Sequence, residues 1–370
     1  MTVPQVDTLI IGQGLAGSIL AFQLIARGQR VLVIDNDHQG SASQVAAGII
    51  NPITGHRLNL TEGFVDYYAC ATAFYAELES TLRVSLIKQV EQVRLLKNPG
   101  QASYFSKRLE QDAYADFLET NTATTLFKEQ PYGSAKIKQT SIVNTSELLA
   151  ALKRWLIEQN AHLNTHVDYD ELHFNSSGVS YREFSASRVI FCEGYQAINN
   201  PWLKDLPFKL AKGEILTIEK PKEKLREEPG EQLRAKQGEK QGEKQGEEQT
   251  QMLSWGNWLI PYGDNCAKLG SNYAWQDTDL TPSHSVREKL LNSLEEQTGL
   301  KPTVLNHQVG IRPTTTHRHA FVGGISKQAG AYCFNGFGSK GCLTIPAHSQ
   351  LLCDHLINNT QLPEELNKWL

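Results

Sequence analysis

The feature that most constrains the fold is a glycine-rich turn between two short apolar runs near the start of the chain. From Thr8 to Asp35 the sequence has an apolar run, G-x-G-x-x-G at Gly12, Gly14 and Gly17, a stretch of helical periodicity, and a second apolar run that ends in Asp35. This order predicts strand, turn, helix and parallel strand, with the glycines allowing the turn, the approach of a pyrophosphate and close helix packing. The helix N-terminus binds phosphate and the carboxylate accepts ribose hydroxyls. The segment predicts a dinucleotide site; a tight turn without a ligand is the alternative.

The motif alone does not separate FAD from NAD, and the segment that follows it favours FAD. From Ser41 to Pro52 the sequence reads S-A-S-Q-V-A-A-G-I-I-N-P. Small residues and hydroxyls this close to the glycine turn suit a chain that lies along an extended diphosphate and ribityl tail. An ordinary polar loop is the alternative for this segment taken alone.

Composition predicts a globular chain of about two domains and argues against several other classes. The chain has 370 residues, and domains average roughly 150. A formal net charge of -4 argues against a mainly electrostatic binder of DNA or RNA. The longest apolar run, Thr8 to Ala26, is interrupted by glycines and follows no basic leader, so neither a spanning helix nor a secretory signal is expected. The 6 scattered cysteines include no C-x-x-C pair, which favours reduced thiols and a cytoplasmic protein.

The residues from Glu219 to Gln251 differ from the rest of the chain. They are almost free of apolar side chains and repeat the tetrad Q-G-E-K, so we expect a disordered, low-complexity surface insertion, with a partner-docking segment as the alternative. The apolar segments on either side, Glu214 to Ile218 and Trp258 to Pro261, are predicted to pair as a hairpin with the insertion as its loop. Elsewhere, periodicity predicts helices over Ser18–Arg27, Phe64–Leu82 and Ser146–Gln159 and a buried strand over Val189–Cys192.

Further short motifs follow in a fixed order. They are V-I-F-C-E-G at Val189–Gly194, A-K-G-E at Ala211–Glu214, W-L-I-P at Trp258–Pro261 with L-G-S-N at Leu269–Asn272, V-G-I-R-P-T at Val309–Thr314, and N-G-F-G-S-K-G at Asn335–Gly341 with Pro346-Ala347. Together with the amino-terminal motif and Ser41–Gly48, they resemble the D-amino-acid oxidase superfamily of flavoenzymes, which includes glycine oxidase and sarcosine oxidase. The last motif is also similar to the oxidase domain of the bifunctional enzyme that matures a tRNA wobble uridine.

The resemblance implies an α/β fold with a Rossmann-like FAD-binding domain and a mixed-sheet α+β substrate domain. The FAD-binding domain would comprise residues 1–60, 140–205 and 305–370, and the substrate domain residues 61–139 and 206–304. The family's reaction moves a hydride from the carbon next to nitrogen to flavin N5, and the imine then hydrolyses. The expected substrate is an amino acid or secondary amine, such as glycine, sarcosine or a D-amino acid, with oxygen or another electron acceptor.

The motifs and the resemblance assign the cofactor contacts to each of the three FAD-binding segments. The resemblance also implies non-covalent FAD, because no cysteine lies between Gly310 and Gly323, where sarcosine-oxidase relatives carry the one that bonds to flavin. The assigned contacts are Gly12, Gly14, Leu15, Ala16, Gly17, Asp35, Asn36, Ser43, Ala47, Gly48, Val167, Gly194, Arg312, Gly336, Gly338, Ser339, Lys340 and Gly341.

Four residues are predicted to act on the substrate or the reacting atoms. A carboxylate needs a planar bidentate partner, and Arg312 occupies the arginine of G-x-R-P-x-T; pairing with a core acid is the alternative. Trp258 stands where relatives place a substrate-contacting tyrosine. Tyr273 offers a nearby hydroxyl and is otherwise structural. Lys340 is expected to hold negative charge at the flavin N1–C2=O position, with a surface lysine as the alternative.

Two short segments that contain histidine and arginine are also considered as sites. His56-Arg57 lies near the predicted flavin edge, either at the pocket entrance or as a satisfied loop pair, and the loop pair is favoured. His317 and His319 would share one face of a strand with Arg318 opposite. No third ligand is evident, so no metal site is expected.

Two further functions stay open. One is oxidation of a modified nucleoside in tRNA, which would require a basic rim that the overall charge does not favour. The other is a non-catalytic flavin-binding module that uses the low-complexity insertion as a docking arm.

Overall fold

Two large β-sheets and the helices that cover them make up the described part of the computed structural model, residues 5–37, 40–122, 126–220 and 251–370. The predicted insertion lies outside these residues except for Glu219, Lys220 and Gln251. Within these ranges, no helix combines the length and apolarity needed to span a bilayer. The predicted α/β class with a large mixed second sheet is confirmed.

The first sheet has eight strands in the order β10-β11-β12-β1-β2-β9, with β20 beside β12 and β19 beside β20. Strand β1 pairs in parallel with β2 and with β12. The central strands are buried at Thr8–Ile11 of β1, Val31–Ile34 of β2 and Val189–Phe191 of β12, because helices or other strands cover both faces there. The strands are β1 (Gln5–Ile11), β2 (Val31–Asp35), β9 (His162–Asn164), β10 (Leu172–Asn175), β11 (Gly178–Tyr181), β12 (Phe184–Phe191), β19 (Phe321–Gly324) and β20 (Ala331–Asn335).

The amino-terminal strand–turn–helix–strand unit is confirmed, and its helix begins earlier than predicted. Gly14 is the N-cap, so the helix includes residues that the periodicity left in the turn. Gly12 has φ +102°, and a Cβ there would lie 2.6 Å from the Cys192 carbonyl oxygen. A Cβ on Gly17 would lie 1.9 Å from the Gly12 oxygen. Only glycine therefore permits this turn and this helix packing.

The second sheet has ten strands in the order β17-β13-β16-β15-β14-β6-β8-β3, with β18 beside β13 and β7 beside β8. Two short strands, β4 (Ile53–Thr54) and β5 (Asn59–Leu60), pair separately. The ten strands are β3 (Ile49–Ile50), β6 (Ile87–Leu95), β7 (Leu118–Thr120), β8 (Ser134–Val143), β13 (Phe208–Glu219), β14 (Gln251–Ser254), β15 (Trp258–Tyr262), β16 (Cys266–Gly270), β17 (Ala274–Trp275) and β18 (Val304–Thr315).

The predicted hairpin between the segments that flank the insertion is wrong. Strand β16 lies between β13 and β15, and its Leu269 is opposite both Leu216 and Leu259. The strand that directly follows the insertion is β14, which pairs in parallel with β6. In this arrangement β16 has a buried strand on each side. Direct pairing of β13 with β15 would leave β16 without these two neighbours.

The helices pack against both sheets. The predicted helix over Phe64–Leu82 is confirmed at both ends, and the predicted Ser146–Gln159 helix is displaced by one residue, with the Asn144 side chain accepting from the Glu147 N–H. The helices are α1 (Leu15–Ala26), α2 (Ala42–Val45), α3 (Phe64–Leu82), α4 (Pro99–Leu109), α5 (Thr145–Glu158), α6 (His284–Thr298), α7 (Gly341–Asn358) and α8 (Glu364–Asn367). Helices α1, α5, α7 and α8 contact the first sheet, and α2, α3, α4 and α6 contact the second.

Strand β18 links the two sheets. It pairs along its length with β13 in the second sheet, and its residues 305–315 belong to the third segment, 305–370, of the predicted FAD-binding domain. Helix α2, from the amino-terminal segment, packs on β18 at Gly310, where a Cβ would lie 3.1 Å from Val45 Cβ. The absence of a side chain at Gly310 lets α2 and β18 come into close contact.

Candidate functional site

A cavity of about 1400 Å³ lies between the carboxyl ends of β1, β2 and β12 and one face of the second sheet. Crevices at strand carboxyl ends are the usual ligand sites of such sheets. The predicted site residues that line it are Gly12, Gly14, Leu15, Ala16, Asp35, Asn36, Ser43, Ala47, Gly48, Val167, Gly194, Trp258, Tyr273, Arg312, Gly338, Ser339, Lys340 and Gly341.

Two predicted cofactor contacts, Gly17 and Gly336, are outside this lining. Gly17 faces the turn behind it, as its packing distance shows. Gly336 has φ +84°, and a Cβ there would lie 2.8 Å from Thr315 Cγ2. Both glycines therefore shape the backbone that carries the wall.

The glycine turn is held open toward the cavity by two side chains. The Gln13 N–H donates to Asp35 Oδ2 at 2.7 Å, and the Leu15 N–H donates to Ser43 Oγ at 3.1 Å. A Cβ on Gly14 would lie 3.2 Å from the same Ser43 hydroxyl. Glycine at position 14 thus leaves space between the start of α1 and α2. The carboxylate of Asp35 lies beside this space, which suits the pyrophosphate and ribose of a dinucleotide.

Arg312 extends from β18 across the floor of the cavity. Its Nη2 donates to Ser271 Oγ at 3.0 Å, and its guanidinium carbon lies 4.3 Å from the Tyr273 ring centroid. A Cβ on Gly213 would come within 2.3 Å of Nη1, so a glycine on the neighbouring strand makes room for the side chain. Burial lowers the pKa of Arg312. Within the described ranges no carboxylate forms an ion pair with it, so its free donors are available to an anion.

The other three predicted substrate residues surround this guanidinium or the cavity rim. The Trp258 indole lies on Gly270, where a Cβ would be 2.6 Å from Trp258 Cζ2. Tyr273 is 51% exposed and packs beside Trp275. Lys340 is exposed on the cavity wall, immediately before α7.

Glu193 is a carboxylate in the cavity wall to which the sequence analysis assigned no role. Its oxygens accept from the Tyr169 hydroxyl at 2.5 Å and from Asn200 Nδ2 at 2.6 Å. Burial raises the pKa of Glu193 to about 7, while those two hydrogen bonds lower it. The signal in the sequence was an acid directly after a buried apolar strand.

Lys268 is a buried cation that sequence reasoning missed. Its side chain lies behind the cavity wall, and Nζ donates to the Ala46 carbonyl oxygen at 3.3 Å and lies 4.2 Å from the Tyr262 ring centroid. Burial lowers the pKa of Lys268 to about 8. A lysine inside the apolar run C-A-K-L-G was the available signal.

Arg94 is a second arginine in the cavity lining, and sequence reasoning missed it as well. It is half-buried near the end of β6, and its Nη2 donates to the Gly55 carbonyl oxygen at 2.7 Å. Burial lowers the pKa of Arg94. The neighbouring His56 lines the cavity, whereas the exposed Arg57 does not.

The histidines at 317 and 319 lie in a turn after β18, so their predicted placement on a strand is wrong. The His317 ring stacks on Trp369 with centroids 4.8 Å apart and on His319 at 6.1 Å. The described residues contain no cluster of three or more metal-ligating side chains. This turn lets the chain pass from the second sheet into β19 of the first.

Comparison with known proteins places this geometry among flavoenzymes. The family described as FAD dependent oxidoreductase (DAO) matches residues 7–355. The crystal structure of glycine oxidase from Geobacillus kaustophilus is similar with a TM-score of 0.77 and 18% identity, covering 97% of this chain and 96% of that one. The crystal structure of iminodiacetate oxidase from Chelativorans sp. BNC1 is similar with a TM-score of 0.76 and 19% identity, covering 98% of both chains. The crystal structure of L-proline dehydrogenase from P. horikoshii is similar with a TM-score of 0.76 and 16% identity, covering 99% of this chain and 97% of that one.

Proposed function

The chain belongs to the FAD-dependent oxidoreductase (DAO) family, and from this premise we propose that it oxidises a carbon–nitrogen bond of an amino acid or secondary amine. The observation that carries the proposal is the Arg312 guanidinium, which faces the cavity without a carboxylate partner among the described residues. Planar donors of this kind bind carboxylates through two parallel hydrogen bonds. The substrate class is therefore a small amine that carries a carboxylate.

The cofactor site is formed by the glycine turn, Asp35 and helix α2. The space at Gly14 would hold the pyrophosphate, Asp35 would accept from ribose hydroxyls, and Ser43, which accepts from the Leu15 N–H, would help to hold the diphosphate. The carboxy-terminal segment Gly338–Gly341 supplies the opposite wall. The cofactor is bound non-covalently.

Bound FAD supplies the hydride acceptor, and the chain's own residues position the substrate. Arg312 holds the carboxylate and thereby fixes the adjacent carbon. The Trp258 indole and the Tyr273 ring line the cavity and limit the space around that carbon. No general base is required, provided that the substrate amine is bound in its neutral form. The electron acceptor is oxygen or another oxidant.

The test is an anaerobic absorption spectrum of the holoprotein before and after addition of glycine, sarcosine, proline and D-amino acids. Bleaching of the flavin bands by at least one compound is expected. An Arg312→Leu variant should keep its flavin bands and lose the bleaching, while Arg57→Gln, which removes a nearby exposed arginine, should bleach normally. Flavin bands that no member of the panel bleaches would refute the amino-acid proposal.

Oxidation of a modified nucleoside in RNA is a second candidate, and one observation favours it. The exposed rings of Tyr273, which lines the cavity, and Trp275 lie 5.9 Å apart, and Lys209 Nζ lies 4.5 Å from the Trp275 centroid. An aromatic pair beside a cation can stack unpaired bases. RNA affinity that falls steeply with salt and drops in Trp275→Ala would support this function; the absence of any such binding would exclude it.

A further inference from the structure

Residues 271–283 connect β16 to α6, and we call them the β16–α6 connection. They begin beside Arg312, where Ser271 Oγ accepts from Nη2 at 3.0 Å and the Asn272 carbonyl oxygen accepts from Nη1 at 3.4 Å. The short strand β17 then pairs with β13, and Ser283 is the N-cap of α6. The connection therefore leads from the substrate arginine to a helix that packs on the second sheet.

Two charged residues of β13, Lys212 and Glu214, point to the sheet face opposite the cavity. Gly213 between them lines the cavity and makes room for Arg312, and successive residues of a strand face opposite sides of a sheet. Lys212 is 2% exposed and Glu214 is 1% exposed. Burial of a charge is costly unless its polar atoms find partners. The partners of these two side chains therefore indicate what they do in the folded protein.

The β16–α6 connection supplies partners to both side chains. Lys212 Nζ donates to the Thr281 carbonyl oxygen at 3.0 Å and lies 3.5 Å from Asp277 Oδ2. Glu214 Oε2 accepts from the Ser283 N–H at 2.8 Å. The two charged groups also lie 4.0 Å apart, measured from Lys212 Nζ to Glu214 Oε1. The buried pair therefore fixes the second half of the connection to β13.

Glu214 also holds the first half of the connection. Its backbone N–H donates to Asn272 Oδ1 at 2.7 Å, directly before Tyr273. From the neighbouring β18, His307 places its Nε2 2.9 Å from Glu214 Oε2. One residue of β13 thus binds the connection on both sides of Tyr273.

The position of the Tyr273 ring depends on this attachment. The residue is 51% exposed, so packing restrains it less than it would a buried ring. The ring lies over the Arg312 guanidinium, with 4.3 Å between the guanidinium carbon and the ring centroid. A ring on one face of a guanidinium attracts the charge and leaves the in-plane N–H donors to a planar anion. If the connection were released from β13, the ring would leave the guanidinium and Arg312 would be free to reorient.

Building on the proposed function, we infer that Lys212 and Glu214 are positioning residues for the substrate. They hold the β16–α6 connection from the face of the sheet opposite the cavity. The connection keeps Tyr273 on Arg312, and Arg312 binds the substrate carboxylate. The buried pair thereby sets the affinity for a carboxylate that it does not contact.

The test uses the FAD-bound protein and methoxyacetate, the ether counterpart of sarcosine, which has no carbon–nitrogen bond to oxidise. Its dissociation constant comes from the shift of the flavin absorption bands. Lys212→Met should weaken binding about 5- to 30-fold, the range expected for loss of one ring–guanidinium contact. The matched control, Lys136→Met, removes an ion-paired lysine on β8 and should leave binding unchanged. Glu214→Leu should weaken binding as Lys212→Met does, whereas Glu214→Gln keeps an acceptor for the Ser283 N–H and should retain most of the affinity.

A double-mutant cycle separates positioning from general destabilisation. Because Lys212 acts through Tyr273, Lys212→Met should have no further effect on methoxyacetate binding in a Tyr273→Leu background. Equal losses in both backgrounds would overturn the inference, as would unchanged affinity in Lys212→Met. If Lys212→Met does not retain FAD, the double variant Lys212→Met with Glu214→Gln replaces it, because it removes both charges of the buried pair.

The same experiments distinguish this inference from the proposed function. Methoxyacetate binding that depends on Lys212, without reduction of the flavin by any amine, would refute the proposed function alone. Flavin reduction by amines, together with methoxyacetate binding that does not depend on Lys212, would refute only the positioning role.

Discussion

Lys268 provides a test of the burial described above, because the free-energy cost of burying its ammonium group can be calculated from its pKa. The residue is 4% exposed, and the region that the structure describes provides no acid to pair with its ammonium. Burial lowers the pKa of Lys268 from the ordinary 10.5 to about 8. At about 1.4 kcal/mol for each pH unit, the protonated form is therefore about 3 kcal/mol less favourable in the folded protein than in the unfolded chain.

The sign of the pH dependence follows from which state binds more protons. Between pH 8 and 10.5 the unfolded chain keeps the proton on Lys268 and the folded protein has released it. The free energy of unfolding contributed by this residue therefore rises with pH across that window and is constant below it. Lys268→Met removes the titration and keeps most of the volume. Relative to the variant, the wild type should gain about 3 kcal/mol between pH 7 and 10.5.

The assay is urea unfolding of the FAD-saturated protein, followed by tryptophan fluorescence at pH 7, 8, 9 and 10.5. The matched control is Lys88→Met, which removes an exposed lysine on β6 and should give a curve parallel to the wild type. Parallel curves for wild type and Lys268→Met would show that the ammonium is solvated in the folded protein and would refute the reasoning.

Three further predictions concern the cavity. Gly14→Val should abolish FAD binding, seen as loss of flavin absorbance in the purified protein, whereas Gly324→Ala, whose Cβ would lie 3.5 Å from the nearest atom, should retain it. Because burial raises the pKa of Glu193 to about 7, wild-type stability should fall from pH 4.5 to 7 relative to Glu193→Gln, by on the order of 1–3 kcal/mol in thermal melts; a constant difference would contradict this. Arg312→Lys keeps the charge but not the planar fork, so the apparent affinity for a carboxylate substrate should fall about 10- to 100-fold in anaerobic titrations, with unchanged flavin content.

The sequence was sufficient for the parts of the fold that depend on local pattern. The glycine turn at Gly12 and the α3 helix follow from steric freedom and periodicity, which neighbouring residues encode. The pairing of β13 with β16 was not predictable, because strand order depends on long-range apolar matches such as Leu216 with Leu269. The same holds for Lys212 and Glu214, because their partners Thr281 and Ser283 come from a distant part of the chain.

The close contact at Gly310 has a thermodynamic consequence. Helix α2 carries Ser43 at the glycine turn, and it rests on the strand that carries Arg312. A bridge between Ser41 and Ile311 joins the same two segments. Whatever orders α2 therefore also orders the strand of the substrate arginine. Occupancy of the two sites should be cooperative: FAD should strengthen the binding of anions, and by reciprocity a bound anion should tighten FAD by the same factor.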